Sequence, residues 1–271
     1  VIARATVQTM SDHVVRGEQQ TPRRVERIGD TVRRPAYPWT PAVHALLRHL
    51  ESVGFPYSPR VLGFDSEGRE VLTYLEGESG PAGWAKVVTD EGLRAAARLL
   101  RDYHQAVAGW QRDPDLLWSS GIHEPGDPAN PDEAICHGDF GPWNLVWQGD
   151  RPVGILDWDF AYPAPPRRDV VYALEYLVPF RGDAECVESL HHPVPPDRRR
   201  RLEVFAEAYG LTSSEGLVED VIRTQRETLE TVRRLADAGC EPQASWVAQG
   251  YLDVLQHRIR WSEDYRWLFD T

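Results

Sequence analysis

His137-Gly138-Asp139-Phe140-Gly141-Pro142-Trp143-Asn144, followed by Ile155-Leu156-Asp157-Trp158-Asp159, is the stretch on which the reading of this chain turns. Asn144–Trp147 and Pro152–Leu156 read as two short strands around the turn Gly149-Asp150. Asn144 opens the first strand and Asp157 closes the second, so the turn folds the two together. Asp139 sits in the loop that feeds this hairpin. Carboxylate and amide oxygens crowded in this way suit a hard cation such as magnesium, which keeps its waters and binds substrate phosphates. Phosphoryl transfer asks little covalent help of a protein. It needs positioning, neutralised phosphate charge and a carboxylate near the acceptor hydroxyl. Asp139 can take that proton, and Asn144 and Asp157 can hold the metal.

Working outward, the segment before residue 76 carries the strand signals. Val25–Ile28 and Thr31–Arg34 flank the hairpin turn Gly29-Asp30, and Arg60–Phe64 and Glu70–Leu75 flank the turn cluster Asp65–Gly68. Between them, Val43, Leu46, Leu47 and Leu50 recur at helical spacing over Ala42–Ser52, with Thr40 before Pro41 as the expected cap. Gly77–Gly83 reads as a linker. Beyond it helical periodicity dominates: Glu91–Ala108, Asp169–Leu177, Arg198–Tyr209, Leu217–Ala238 and Gln243–Asp264. Gln111–Asp132 is a Pro/Gly-rich loop.

These residues resemble a known family. His137-Gly138-Asp139, then Asn144, then Ile155-x-Asp157-Trp158-Asp159 looks like the signature of aminoglycoside phosphotransferases and choline kinases. It shares the Asp-to-Asn offset of the protein-kinase catalytic loop. Arg60-Val61-Leu62-Gly63, Val71–Gly77 and Arg168-Asp169-Val170-Val171 resemble further segments of that family, so that residues 25–265 are covered. The resemblance implies an α+β, bilobal protein-kinase-like fold. Residues 1–76 would form a small β-rich, nucleotide-binding lobe, and 77–271 a larger helical lobe with the catalytic loop and acceptor site. It implies ATP and Mg2+, with Asp139 as catalytic base and Asn144 and Asp157 as metal ligands. The backbone of Thr73, Tyr74 and Leu75 would meet the adenine. His137 would brace the loop, and Asp159 and Asp169 would support it. Trp143 and Trp158 read as packing residues.

The sequence also departs from the family. Lys86 is the only lysine among 30 basic residues, and it lies beyond the nucleotide-lobe strands. The strand lysine of kinase-like folds is therefore missing, and Arg33 is the expected substitute on the ATP phosphates, because an arginine fork can clamp phosphate. The helix Ala42–Ser52 carries no early glutamate; His44 is its nearest polar replacement. The loop before Val25 has a single glycine, Gly17.

Composition narrows the class. Hydrophobic residues make up 41% and charged residues 27% of 271 residues, an ordinary globular balance, and no run is apolar and long enough for a membrane helix. A formal charge of −12 argues against nucleic acid as partner and is compatible with a cationic acceptor. Cys136, Cys186 and Cys240 form no CxxC pair and read as reduced thiols of a cytoplasmic protein. Residues 1–9 precede the only methionine and read as an extension. The expected activity is ATP-dependent phosphorylation of a hydroxyl on a small molecule: an aminoglycoside, another antibiotic or a metabolite. A nucleotide-binding pseudokinase and a protein or peptide kinase stay open as alternatives.

Overall fold

The computed structural model describes residues 25–118 and 133–270. The expected extension 1–9, the Gly17 loop and most of the 111–132 loop lie outside the described residues.

Strands β1 (Glu26–Ile28), β2 (Thr31–Arg34), β3 (Val61–Phe64) and β4 (Glu70–Thr73) form one antiparallel sheet in the order β1-β2-β4-β3. The register pairs Thr31 with Thr73 and Arg34 with Glu70. One helix, α1 (Thr40–Ser52), packs against this sheet and buries Val43, Leu46, Leu47 and Leu50. Thr40 is not its cap. Trp39 takes that place, Thr40 is the first helical residue, and its Oγ1 accepts from the Tyr37 N–H at 2.8 Å. The hydroxyl is turned back towards Tyr37, and the helix start has no side-chain cap.

The expected linker is sewn to the hairpin formed by β6 (Leu145–Gln148) and β7 (Arg151–Ile155). Glu78 and Trp147 exchange two backbone hydrogen bonds of 2.8 Å, and Gly80 N–H donates to Trp143 O at 2.9 Å. A short helix that the sequence reading did not anticipate, α2 (Ala82–Lys86), starts inside it. Lys86 then caps the hairpin turn from outside: its Nζ donates to Gly149 O at 3.0 Å and pairs with Glu78 at 2.7 Å.

The remainder is helical. Helix α3 (Asp90–Val107) begins at Thr89, whose side chain accepts from Gly92 N–H, and buries Leu93, Ala96, Ala97 and Leu100 on one face. It is followed by α4 (Arg167–Leu177), α5 (Asp183–Ser189), α6 (Arg198–Tyr209) and α7 (Leu217–Asp237). The expected single helix 243–264 is two, α8 (Gln243–Ala248) and α9 (Tyr251–Asp264), because the chain turns at Gly250. Two short strands, β5 (Ala134–Cys136) and β8 (Tyr162–Ala164), pair antiparallel at the two ends of the segment 137–161. One large apolar core runs from α1 through α3, α4 and α6 and takes in Trp147 and Trp158 from the hairpin region. Burying each such side chain stabilises the fold by roughly 1.5–3 kcal/mol. Among the described residues no helix is long and apolar enough to cross a membrane.

Candidate active site

The loop between β5 and β6 is fixed from beneath by Asp169, near the start of α4. Its Oδ2 accepts from His137 N–H at 2.6 Å and its Oδ1 from Gly138 N–H at 2.9 Å. His104 of α3 adds a third contact to Asp169, 3.1 Å from Nε2, while its Nδ1 meets the Tyr209 hydroxyl at 2.7 Å. Burial acts to raise the Asp169 pKa, but His104, His137 and the Gly138 N–H outweigh it and leave it below the usual range. The brace is thus an ionised carboxylate. Gly138 has φ 79°, and a Cβ there would lie 2.1 Å from the backbone oxygen of Phe160, so only glycine fits.

His137 is locked by its own two bonds. Nε2 donates to Leu156 O at 2.8 Å, and Nδ1 accepts from Asp139 N–H at 3.2 Å. Burial lowers its pKa, against the pull of Asp169. The ring is therefore neutral and ties the catalytic loop to the end of the hairpin, with Trp158 packed edge-on at 4.8 Å. Trp158 is buried, as a packing residue should be.

Asp139 is 5% exposed and has three donors. Tyr172 OH lies 2.5 Å from Oδ1; Asn144 Nδ2 lies 2.8 Å and Trp143 Nε1 3.5 Å from Oδ2. Burial pushes its pKa up to about 8. The Tyr172 bond opposes that shift, and the charge of Asp157 adds to it. Tyr172 itself, buried beside Asp139, is held well above the usual phenol range and stays a donor. Sequence reasoning missed Tyr172, although it sits three positions after Asp169 on one helix and so shares its face. Trp143 was read as packing; its ring does pack on Tyr176 at 4.8 Å, but its indole N–H also reaches Asp139.

Asn144 and Asp157 come together at the open end of the hairpin as the spacing suggested. Leu145 pairs with Ile155, and Leu156 N–H donates to Asn144 O at 2.8 Å. Asp157 adopts the left-handed conformation, φ 57° and ψ 69°, which an aspartate tolerates better than most residues but at a cost; such strain collects at functional sites.

Of the two neighbouring arginines of β2, the structure brings Arg34, and not the expected Arg33, to the hairpin. Arg33, the sequence expectation, has its Nε 4.0 Å from Asp65, at the turn between β3 and β4. The neighbouring side chain takes the opposite face of β2, and Arg34 is the one that reaches the hairpin. Its Nη2 donates to Asp159 Oδ1 at 2.5 Å, its Nη1 lies 3.5 Å from Asp157 Oδ1, and its Nε pairs with Glu70. Burial alone would lower the Arg34 pKa; Asp159, Glu70 and Asp157 outweigh it and keep the group charged. Glu70 also meets His44 Nε2 at 3.0 Å. Glu70 did not stand out in the sequence, because only the sheet register sets it opposite Arg34.

The segment Thr73–Leu75 is also more constrained than expected. Thr73 N–H donates to Arg60 O and Tyr74 N–H to Asp30 O, at 2.9 and 2.8 Å. Both amides are spent within the lobe, which leaves Leu75 N–H as the remaining donor of the three.

The donors at the hairpin fit a hard divalent cation. They are carboxylate and amide oxygens, and one guanidinium faces three carboxylates, Glu70, Asp157 and Asp159. The Asn144 amide nitrogen is bound to Asp139, which turns its oxygen the other way.

Comparison with known proteins agrees with this geometry. Residues 106–203, which hold the catalytic loop, the hairpin and α4, match the model of the phosphotransferase enzyme family. The trifolitoxin immunity protein of Rhizobium leguminosarum bv. trifolii is 32% identical over 204 residues, covering 73% of this chain and 75% of that protein. Among solved structures, amicoumacin kinase hAmiN, in complex with AMP-PNP, Ca2+ and Ami, superposes with a TM-score of 0.55 at 11% identity, over 87% of this chain and 82% of its own. Aminoglycoside 2'-phosphotransferase-IIIa, in its GDP complex, does so with a TM-score of 0.53 at 16% identity, over 86% and 87%. The fold is thus the bilobal, protein-kinase-like one, and the chain belongs to the phosphotransferase enzyme family.

Proposed function

We propose that this protein is a magnesium-dependent, cytoplasmic small-molecule kinase that moves the γ-phosphate of ATP to a hydroxyl. The single observation that carries the reading is Asp139. It is a buried carboxylate one hydrogen bond from Asn144, on a loop whose other end is tied to Asp157 through His137 and Leu156. Residues up to 76 form the nucleotide lobe and residues from 77 the catalytic and acceptor lobe. ATP lies between them, its adenine against the Leu75 edge and its phosphates towards Arg34.

Each residue has a task in this reading. Asn144 and Asp157 hold Mg2+, which when bound offsets phosphate charge and fixes the orientation of the transferring group. Arg34 faces the phosphates with the Nη1 edge that Glu70 and Asp159 leave over. Asp139 accepts the proton of the acceptor hydroxyl as its oxygen attacks the γ-phosphorus and the bond from that phosphorus to the bridging oxygen breaks, releasing ADP; Tyr172 and Trp143 hold the carboxylate at the orientation needed. His137 and Asp169 keep the loop in place. The acceptor meets the helical lobe beside Trp143 and Tyr172. The chain's charge of −12 favours a cationic compound such as an aminoglycoside-like antibiotic. The named activities of the relatives, antibiotic kinases and a toxin immunity protein, support a resistance role.

ATP-consumption assays against a panel of hydroxylated antibiotics and metabolites, with and without Mg2+, test the reading. An acceptor-dependent, Mg2+-dependent release of ADP supports it. Absence of nucleotide binding under all conditions refutes it.

A further inference from the structure

Arg34 offers three nitrogens, and two have assigned places. Nε is held by Glu70 and Nη2 by Asp159, while Nη1 has only the looser 3.5 Å contact to Asp157. A guanidinium is planar and rigid, so fixing two of its nitrogens aims the third. Glu70 is itself fully buried, and its second oxygen is bound to His44 of α1 at 3.0 Å. His44 is buried too, its ring 5.1 Å from that of Phe64. From His44 of α1 the links run through Glu70 and Arg34 to Asp157 and Asp159, each a hydrogen bond or ion pair.

The usual kinase arrangement takes its glutamate from the helix, so that helix position decides whether the ion pair exists. Here the glutamate comes from the strand directly opposite. Arg34 and Glu70 are paired residues of β2 and β4, and the register of the sheet alone sets their distance. Movement of α1 can break the His44 contact without separating Arg34 from Glu70.

We propose that Glu70 is the positioning residue that aims Arg34 at the nucleotide phosphates and that His44 is its secondary support, so that the nucleotide clamp is assembled by sheet register and stays assembled without a helix shift. The inference rests on the reading of Arg34 as phosphate clamp. It makes the graded claim that loss of Glu70 disorders the clamp and loss of His44 only loosens it.

The test is nucleotide binding, measured by calorimetry with ATP on the intact protein, beside steady-state kinetics. Arg34→Ala, Glu70→Gln, His44→Gln and His44→Leu are compared with wild type, and thermal melting is followed for each. Glu70→Gln keeps the shape and removes the charge; it should weaken ATP binding about 10-fold or more, the size expected for a lost charged hydrogen bond. It should raise the KM for ATP far more than the KM for the acceptor. His44→Leu should weaken ATP by a smaller factor, and His44→Gln, which keeps a donor, should restore part of that loss. If Arg34→Ala weakens ATP binding while Glu70→Gln binds like wild type, the positioning role is refuted and the clamp reading survives. Lowered melting temperatures with unchanged ATP affinity in both Glu70→Gln and His44→Leu would show a structural role only and would also refute it. If Arg34→Ala and wild type bind ATP equally, the clamp reading fails and takes this inference with it.

Discussion

The Tyr172 hydroxyl lies 2.5 Å from Asp139 Oδ1, so this carboxylate is held from α4, the same helix whose Asp169 braces the loop beneath it. Two residues one helical turn apart thus set the position of the catalytic loop and the orientation of its key side chain. The tyrosine also tunes the acid. Its hydrogen bond lowers the Asp139 pKa, while burial and Asp157 raise it.

A pH profile follows from these opposing influences. The ionised form of Asp139 accepts the proton, so activity should fall as pH drops through its folded pKa, by about tenfold per unit. With that pKa pushed up to about 8 in the free protein, the acid limb should lie well above the ordinary carboxylate range. Tyr172→Phe removes a lowering influence, so the limb should move to higher pH. Measuring kcat/KM from pH 5 to 9 in both proteins checks this; a limb that shifts down, or stays in place, contradicts it.

Arg34→Ala and Arg33→Ala separate the two neighbouring arginines. Arg34 is aimed at Asp157 and Asp159, and Arg33 sits beside Asp65. Arg34→Ala should raise the KM for ATP by about 10-fold or more, the size of one lost charge-assisted contact. Arg33→Ala should leave it within about twofold, because Arg33 lies at the turn between β3 and β4 and its ion pair there is a loose one of 4.0 Å. Steady-state kinetics at saturating acceptor decides between them.

Gly83 is a structural test of the way the linker supports the site. A Cβ at Gly83 would lie 1.9 Å from the backbone oxygen of Pro142, inside the catalytic loop. Gly83→Ala must therefore push two backbones apart and should cost about 1–3 kcal/mol in stability. Denaturant melts should show this loss together with a lower kcat. Gly29→Ala, at φ 60° in a turn with open space around it, should cost backbone strain of about 1 kcal/mol and leave kcat unchanged.

Much of this was legible in the sequence, for identifiable reasons. The catalytic segment could be read because its residues lie close together in the chain: one hairpin brings Asn144 and Asp157 together, and one loop carries Asp139. Helical periodicity located α1, α3, α4, α6 and α7 because each buries an apolar face. What stayed hidden depends on contacts between distant segments. Glu70 is paired with Arg34 only through the sheet order β1-β2-β4-β3, and choosing between Arg33 and Arg34 needs to know which face of β2 meets the hairpin. His104 reaches Asp169 from another helix altogether, 65 positions away in the chain. Short elements such as α2 and α5 escaped because five or seven residues give no periodicity to read. Thr40 was misassigned because a local cap pattern was outcompeted by the Tyr37 N–H.

Asp157 supplies a metal-side prediction. Asp157→Ala should abolish the Mg2+ dependence of ATP binding and lower turnover by at least about 100-fold, since charge neutralisation is a main source of catalysis in phosphoryl transfer. Calorimetric titration of ATP with and without Mg2+ checks the binding part without any acceptor. Equal Mg2+ enhancement in wild type and Asp157→Ala would remove Asp157 from the metal site.

The most direct test of the central claim is phosphate transfer by Asp139→Asn. Once an acceptor is found, transfer from γ-labelled ATP is measured in single turnover for wild type and variant, alongside ATP affinity. The substitution keeps the shape and removes the charge that accepts the proton. Asp139→Asn should bind ATP within about threefold of wild type and transfer phosphate about 10²–10⁴-fold more slowly, the usual contribution of a general base. Near-normal transfer by Asp139→Asn to the same acceptor would contradict the mechanism proposed for this site.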